Sequence, residues 1–227
     1  MTKWLLLWLP GGEAVIALDR IQDEVFALDD LREDFVYKHI PPAERMKYIQ
    51  AGLYAGRQAA ERYAGQDLTA LLRQDGVQIH RIDTPSPTLM HAQITYDKKL
   101  RQVDIFTNTA HRISRAAAQA GYAMEAEQVE RVFLAHEFYH WLEYSGRLCP
   151  VEETLSVQVR ALGGIWCRQA QVHRTGEIAA FVFAKEYCGM TVHPKALDHL
   201  LLCETLGEPA ENHFRVLEEN YKQACCF

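Results

Sequence analysis

The 227-residue chain has no basic excess: 24 Lys and Arg stand against 30 Asp and Glu, a net charge of −6. A surface of that sign does not neutralise phosphates, so no direct nucleic-acid interface is expected. The chain also has no C-x-x-C pair among its six cysteines, Cys149, Cys167, Cys188, Cys203, Cys225 and Cys226, which removes a cysteine zinc knuckle from consideration. Several of these thiols lie in apolar stretches, where a free cysteine acts as a small hydrophobe. That usage fits a reduced, cytoplasmic chain. No apolar run approaches the roughly 20 residues that span a bilayer. The nearest, "WLLLWL" at residues 4 to 9, is preceded by a single lysine and stopped by Pro10. It offers no clean cleavage site after it, so it is expected to be a strand or tail packed on the body. Internal repeats and low-complexity linkers are absent as well.

What is present is a chain that is 48% hydrophobic, enough for a sizeable core. Residues 43 to 65 form a long helix in this reading. Pro41 and Pro42 open it, and Met46, Ile49, Leu53, Ala60 and Tyr63 recur at helical spacing. A shorter helix follows, with Asp67 as its N-cap and Gly76 closing it. The period then changes. Residues 77 to 82, 91 to 97 and 101 to 108 alternate apolar and polar side chains, with "DKK" as a hairpin turn between the last two. "DTPSPT" reads as a loop. Helices are expected again at 109 to 120, 126 to 145, 151 to 171, 177 to 188, 194 to 206 and 210 to 222. The fold class is therefore α+β: mostly helical, with a small antiparallel sheet of about three strands. The whole chain, 1 to 227, is read as one domain.

One motif carries chemistry. H-E-x-x-H occurs once, as His136, Glu137 and His140. Positions i and i+4 share a helix face, so both imidazoles reach one ion. They continue the stripe of Val129, Val132 and Phe133. The plain alternative is a pair of core histidines bonded to backbone. It fits poorly with two on one face beside a carboxylate, because a buried ionised group needs a partner. A catalytic zinc takes three protein ligands and keeps one position open. The third has two sources downstream. Glu152 and Glu153 follow Pro150, at the start of the helix expected there. Glu177, with Thr175 as the expected N-cap, starts "EIAAFVFA", a helix apolar all round and therefore buried. A carboxylate beside that core needs a cation, which favours Glu177; Glu152 and Glu153 stay open.

These residues resemble a known family, the ImmA/IrrE-type zinc metallopeptidases. The likeness covers about residues 66 to 190, leaving 1 to 65 as an N-terminal helical extension and 191 to 227 as C-terminal helices. It runs through "LTALLRQDGVQIHRI", the hairpin "ITYDKKLRQVDIFTN" and "VERVFLAHEFYHWLEY" to a second signature, E-x-x-A-x-x-F-A, here Glu177, Ala180, Phe183 and Ala184. The chain departs from the family at Phe181, where Asn is frequent, and in the long stretch between His140 and Glu177. The frequent helix-turn-helix partner domain is not evident.

The resemblance implies a zincin-like fold of the gluzincin type, with Zn²⁺ on His136, His140 and Glu177. It implies limited proteolysis of a dedicated partner protein, such as a co-encoded transcriptional repressor. Glu137, about 100° round the helix from the first ligand, is suited to be the general base. Tyr139, Tyr144 and His193 are candidates for stabilising the oxyanion, with none preferred. A zinc-containing regulatory or protein-binding module without proteolysis is the alternative. Oligomeric state and substrate are left open.

Overall fold

The computed structural model describes residues 7–8, 14–15, 17–84, 89–161 and 166–225. It opens with a short pairing of β1 (Leu7–Trp8) with β2 (Ala14–Val15). The rest of the 4–9 segment lies outside the described residues. There follow α1 (Asp23–Arg32), α2 (Arg45–Tyr63), α3 (Leu68–Gln74), β3 (Gln78–Ile82), β4 (Ala92–Tyr96), β5 (Arg101–Phe106), α4 (Thr107–Gln119), α5 (Ala126–Tyr144), α6 (Val151–Thr154), β6 (Ser156–Ala161), β7 (Trp166–Gln171), α7 (Arg174–Cys188), α8 (Lys195–Leu206) and α9 (Ala210–Cys225). The architecture is α+β. Among the described residues, no helix is long and apolar enough to cross a membrane.

The period-two stretches form strands where alternation predicts them. Val103 and Ile105 are buried, while Gln102 and Asp104, which alternate with them, are half-buried. The sheet order is β3-β5-β4. β4 and β5 make the expected antiparallel hairpin, with Ile94 opposite Val103. β3, however, runs parallel to β5. The sheet is therefore mixed, not antiparallel. The reason is the connection: no tight turn follows β3, and the chain returns through β4 before β5 lies down beside β3 in the same direction.

The larger correction concerns residues 151 to 171, read above as one helix. Only α6 is helical. β6 and β7 then pair antiparallel, with Val157 opposite Ala170. The missed signal is the alternation in "SVQVRA": Val157 is buried and Val159 half-buried, while Ser156 and Gln158 are exposed. The Gly163–Gly164 pair in the sequence is itself a hairpin cue, although those two residues lie outside the described set. The Tyr48 hydroxyl, on α2, donates to the Ser156 carbonyl at 3.0 Å and fastens this hairpin to the helices.

Helix ends follow local chemistry. The Asp67 side chain accepts from the Ala70 N–H at 3.1 Å, the cap expected of it. Glu125 and Gln128 form a reciprocal capping box at the start of α5. At α7 the expectation fails. Thr175 is inside the helix, fully buried, with its hydroxyl donating to the Val172 carbonyl at 2.7 Å. His173 precedes the first helical residue.

α7 is the centre of the molecule. Its Ala180, Phe183 and Ala184 belong to the core shared with α5 and the sheet, and its Ile178 and Val182 to a second core with Leu28, Leu31, Ile49 and Leu53. Burial on both sides is what an all-round apolar helix requires. α2 approaches it at glycine. A Cβ on Gly56 would lie 2.4 Å from the Ala179 carbonyl, and one on Gly52 would lie 2.7 Å from Ile178 Cγ2. Only hydrogen at those two positions lets the backbones come so close.

Candidate metal centre

α5 presents His136 and His140 one turn apart, and α7 crosses beside it with Glu177 in its first turn. The Nε2 atoms of the two histidines are 3.2 Å apart. His136 Nε2 is 3.3 Å from Glu177 Oε2, and His140 Nε2 is 3.6 Å from Oε1. Both histidines are buried, and about a third of the Glu177 side chain remains open to the cleft in front of them, at 35% exposure.

The His140 Nδ1 lies 3.1 Å from the buried Glu143 carboxylate. A carboxylate there accepts from Nδ1–H, which in the neutral ring leaves the lone pair on Nε2. Burial pulls the His140 imidazole down, but the hydrogen bonds to Glu143 and Glu177 outweigh it and push it up to about 10. Burial would likewise raise Glu177, yet its bonds to His136 and His140 hold it well below the usual carboxylate range.

Two imidazoles and a carboxylate are a donor set that zinc takes, and His136, His140 and Glu177 lie close enough together to hold one ion. Zinc bonds of about 2.0–2.1 Å put ligand atoms about 3.3–3.4 Å apart. The two Nε2 atoms at 3.2 Å and the His136 Nε2–Glu177 Oε2 pair at 3.3 Å are near that value, while His140 Nε2 meets the other carboxylate oxygen, Oε1, at 3.6 Å.

The other downstream carboxylates stand elsewhere. Glu153 is exposed on α6, with the Cys149 Sγ at 3.7 Å. Glu152 lies behind the ligands: a Cβ on Gly176 would meet its Oε2 at 3.3 Å and the Glu143 Oε1 at 3.6 Å. Burial and the adjacent Glu143 push the Glu152 carboxyl up. Among the described residues, the cluster that could hold a metal is His136, His140 and Glu177, without Glu152.

Glu137 is buried, with its Oε2 accepting the Ile94 N–H at 2.8 Å. In the register of the hairpin, Ile94 faces Val103, and its N–H points away from β5. The free edge of β4 is thus turned toward α5 and tied to it by the HExxH carboxylate.

The cleft has a volume of about 820 Å³. Sequence reasoning did not find its far wall. His91, just before β4, stacks flat on Phe133 at 3.9 Å and pairs with Asp198 of α8 at 2.9 Å. Lys195 sits over the Phe181 ring at 5.7 Å with its ammonium on Asp30 at 2.5 Å. Burial works against the Lys195 charge, but Asp30 and Glu33 more than restore it. These residues come from α1, α8 and the start of β4, so no local spacing links them. One anomaly was readable: a lysine in the first turn of a helix stands at the positive end of its dipole, and Glu143 in the last turn of α5 has the mirror-image fault. Each is held there by a buried partner of opposite kind.

Of the three oxyanion candidates, only Tyr144 lines the cleft. Tyr139 is buried against Phe183. His193 is buried and stacked on Phe26 at 4.9 Å. Burial pushes the His193 imidazole down to about 3. The unfolded chain takes up that proton near its ordinary value of about 6.5, and the folded chain does not until about 3. The stability this represents is full above about 6.5 and is lost as pH falls through that window, at up to about 1.4 kcal/mol per pH unit. Urea titrations at pH 7 and pH 5 should show wild type losing roughly 2 kcal/mol more than His193→Gln between the two. Equal losses would mean that His193 does not resist protonation.

Comparison of the chain with protein-family models, with curated proteins and with solved structures finds no match, and the case for its chemistry is carried by the geometry of this cleft.

Proposed function

We propose that the protein is a zinc-dependent metallopeptidase that cuts a specific partner protein, with a zincin-like arrangement of one active-site helix beside an edge strand. The observation that carries this reading is the clustering of His136 Nε2, His140 Nε2 and the Glu177 carboxylate, with contacts of 3.2–3.6 Å, with a second carboxylate, Glu137, one position along the same helix and hydrogen-bonded instead to the Ile94 N–H. The resemblance of "AHEFYHWLEY" and "EIAAFVFA" to the ImmA/IrrE-type motifs supports it.

His136, His140 and Glu177 would hold the ion, and Glu143 would keep the His140 ring in the tautomer that offers Nε2. A zinc ion supplies Lewis acidity there, acidifying water and polarising a peptide carbonyl. Glu137 accepts the proton of the attacking water and later returns it to the leaving amine. The outward edge of β4 offers main-chain groups to an extended peptide, as strand addition requires. The ring of Phe181 and the paired charges of Lys195 and Asp30 close the opposite wall. A co-encoded repressor is the substrate class to which the resemblance points, and a reduced cytoplasmic setting suits it.

The test is cleavage of an extended-peptide library and of a co-encoded repressor by zinc-loaded protein. Chelation should abolish cleavage, and zinc should restore it. Glu177→Ala should lose both metal and cleavage, whereas Glu153→Ala should keep both. Cleavage that survives chelation would end this reading. Zinc binding and repressor binding without any cleavage would leave a zinc-containing protein-binding module.

A further inference from the structure

The peptidase reading leaves one requirement unmet. When water attacks a peptide carbonyl, the carbon gains a bond to oxygen, and the C=O electron pair moves onto the carbonyl oxygen. That oxygen then carries a negative charge, which a fixed hydrogen-bond donor must meet. Most donors on the cleft wall are committed. Lys195 is held by Asp30, Arg174 by Glu33 at 2.6 Å, and His91 by Asp198.

Tyr144 is not committed. It is the last residue of α5, it lines the cleft, and it is 58% exposed. Among the described residues, its hydroxyl has no hydrogen-bond partner. It lies four positions after His140 and seven after Glu137. At about 100° per residue, seven positions bring it back to within roughly 20° of Glu137 on the helix surface. Long side chains on a helix lean toward its N-terminus and cover the turn before their own Cα. Tyr144 does this: its ring lies over the His140 ring at 6.1 Å, with the planes within 20° of each other. The side chain thereby leans over His140 and lines the same cleft as Glu137 and Glu177.

We propose that Tyr144 is a further catalytic residue, whose hydroxyl donates the hydrogen bond that stabilises the carbonyl oxygen as it becomes negative. This rests on the peptidase reading of the same cleft. The phenol keeps its proton throughout, since a tyrosine is neutral near pH 7. The water proton goes to Glu137. When the electron pair returns to re-form C=O, the C–N bond breaks and Glu137 protonates the amine nitrogen. Tyr144 donates to the same oxygen until its charge is gone.

Tyr144→Phe isolates the hydroxyl, because the phenyl ring preserves the stack on His140. In zinc-loaded protein, kcat should fall about 10²–10³-fold, the usual cost of one oxyanion donor. KM should stay within about twofold and zinc content should be unchanged. A phosphinic peptide, which mimics the charged tetrahedral carbon, should bind the variant weaker by the same factor as kcat/KM falls, while an uncleaved product peptide binds both forms equally. A kcat within threefold of wild type overturns the assignment. So does a parallel fall in zinc content, which would make Tyr144 a packing partner of His140. If wild type cleaves nothing, the peptidase reading fails by itself. The phosphinic peptide still separates the two cases, since hydroxyl-dependent binding keeps the donor in place and equal binding removes it.

Discussion

Purified protein should carry one zinc per chain, and the His136→Ala, His140→Ala double variant should carry none. Removal of both imidazoles leaves Glu177 as a single carboxylate with a third of its side chain open to solvent, and one carboxylate does not compete for zinc against water and buffer. Single variants should lose most of the metal as well, because each takes away one of three donors. Loading should weaken as pH falls, since protons and metal compete for the same Nε2 lone pairs. Elemental analysis after dialysis against a weak chelator measures all of this. Full occupancy in the double variant would move the metal elsewhere and dissolve the assignment.

Glu137→Gln should abolish cleavage while leaving fold, zinc and partner binding intact. The structure makes this substitution cleaner than a motif argument alone would. The Glu137 carboxylate accepts the Ile94 N–H at 2.8 Å, and a glutamine carbonyl oxygen accepts it equally well. The link between α5 and the edge of β4 is therefore kept, and only basicity is lost. A general base is typically worth about 10²–10⁴-fold, a difference a gel resolves. Equal rates for wild type and variant would take the proton-transfer role from Glu137. Glu137→Ala is the less informative change, because it also leaves the Ile94 N–H without its acceptor.

Much of the frame was legible because it is periodic. The i, i+4 spacing of His136 and His140 places both on one side of α5, and the apolar run after Glu177 marks α7 as buried, which together brought the triad within reach of sequence reasoning. The expected β4–β5 hairpin and the helices near 45–63 and 126–144 follow from the same kind of pattern. The parallel partner of β5 was not legible, because strand direction is decided by a connection and not by alternation. The stretch 151–171 was misread because its few apolar residues satisfy either period, and the one alternating run was outweighed by the helices around it. The far wall of the cleft, with Asp30, His91, Lys195 and Asp198, was hidden for another reason: its members meet only through the packing of α1 on α7 and α9 and of α8 on α4 and α9. Pairwise attraction between distant carboxylates and cations leaves no local trace except a charge at the wrong end of a helix.

The glycine contact between α2 and α7 changes how the chain can be divided. The motif resemblance begins near residue 66, and by that measure the first helices are a detachable preface. Yet Gly52 and Gly56 set how deeply α7 is seated, and Glu177 rides on the first turn of α7. α2 is in effect a calibration bar for Glu177. Trimming to the resembling segment would remove the gauge and keep the parts it sets. A methyl group at Gly56, far from any reacting atom, would detune the site in the same way without touching a residue of the motif.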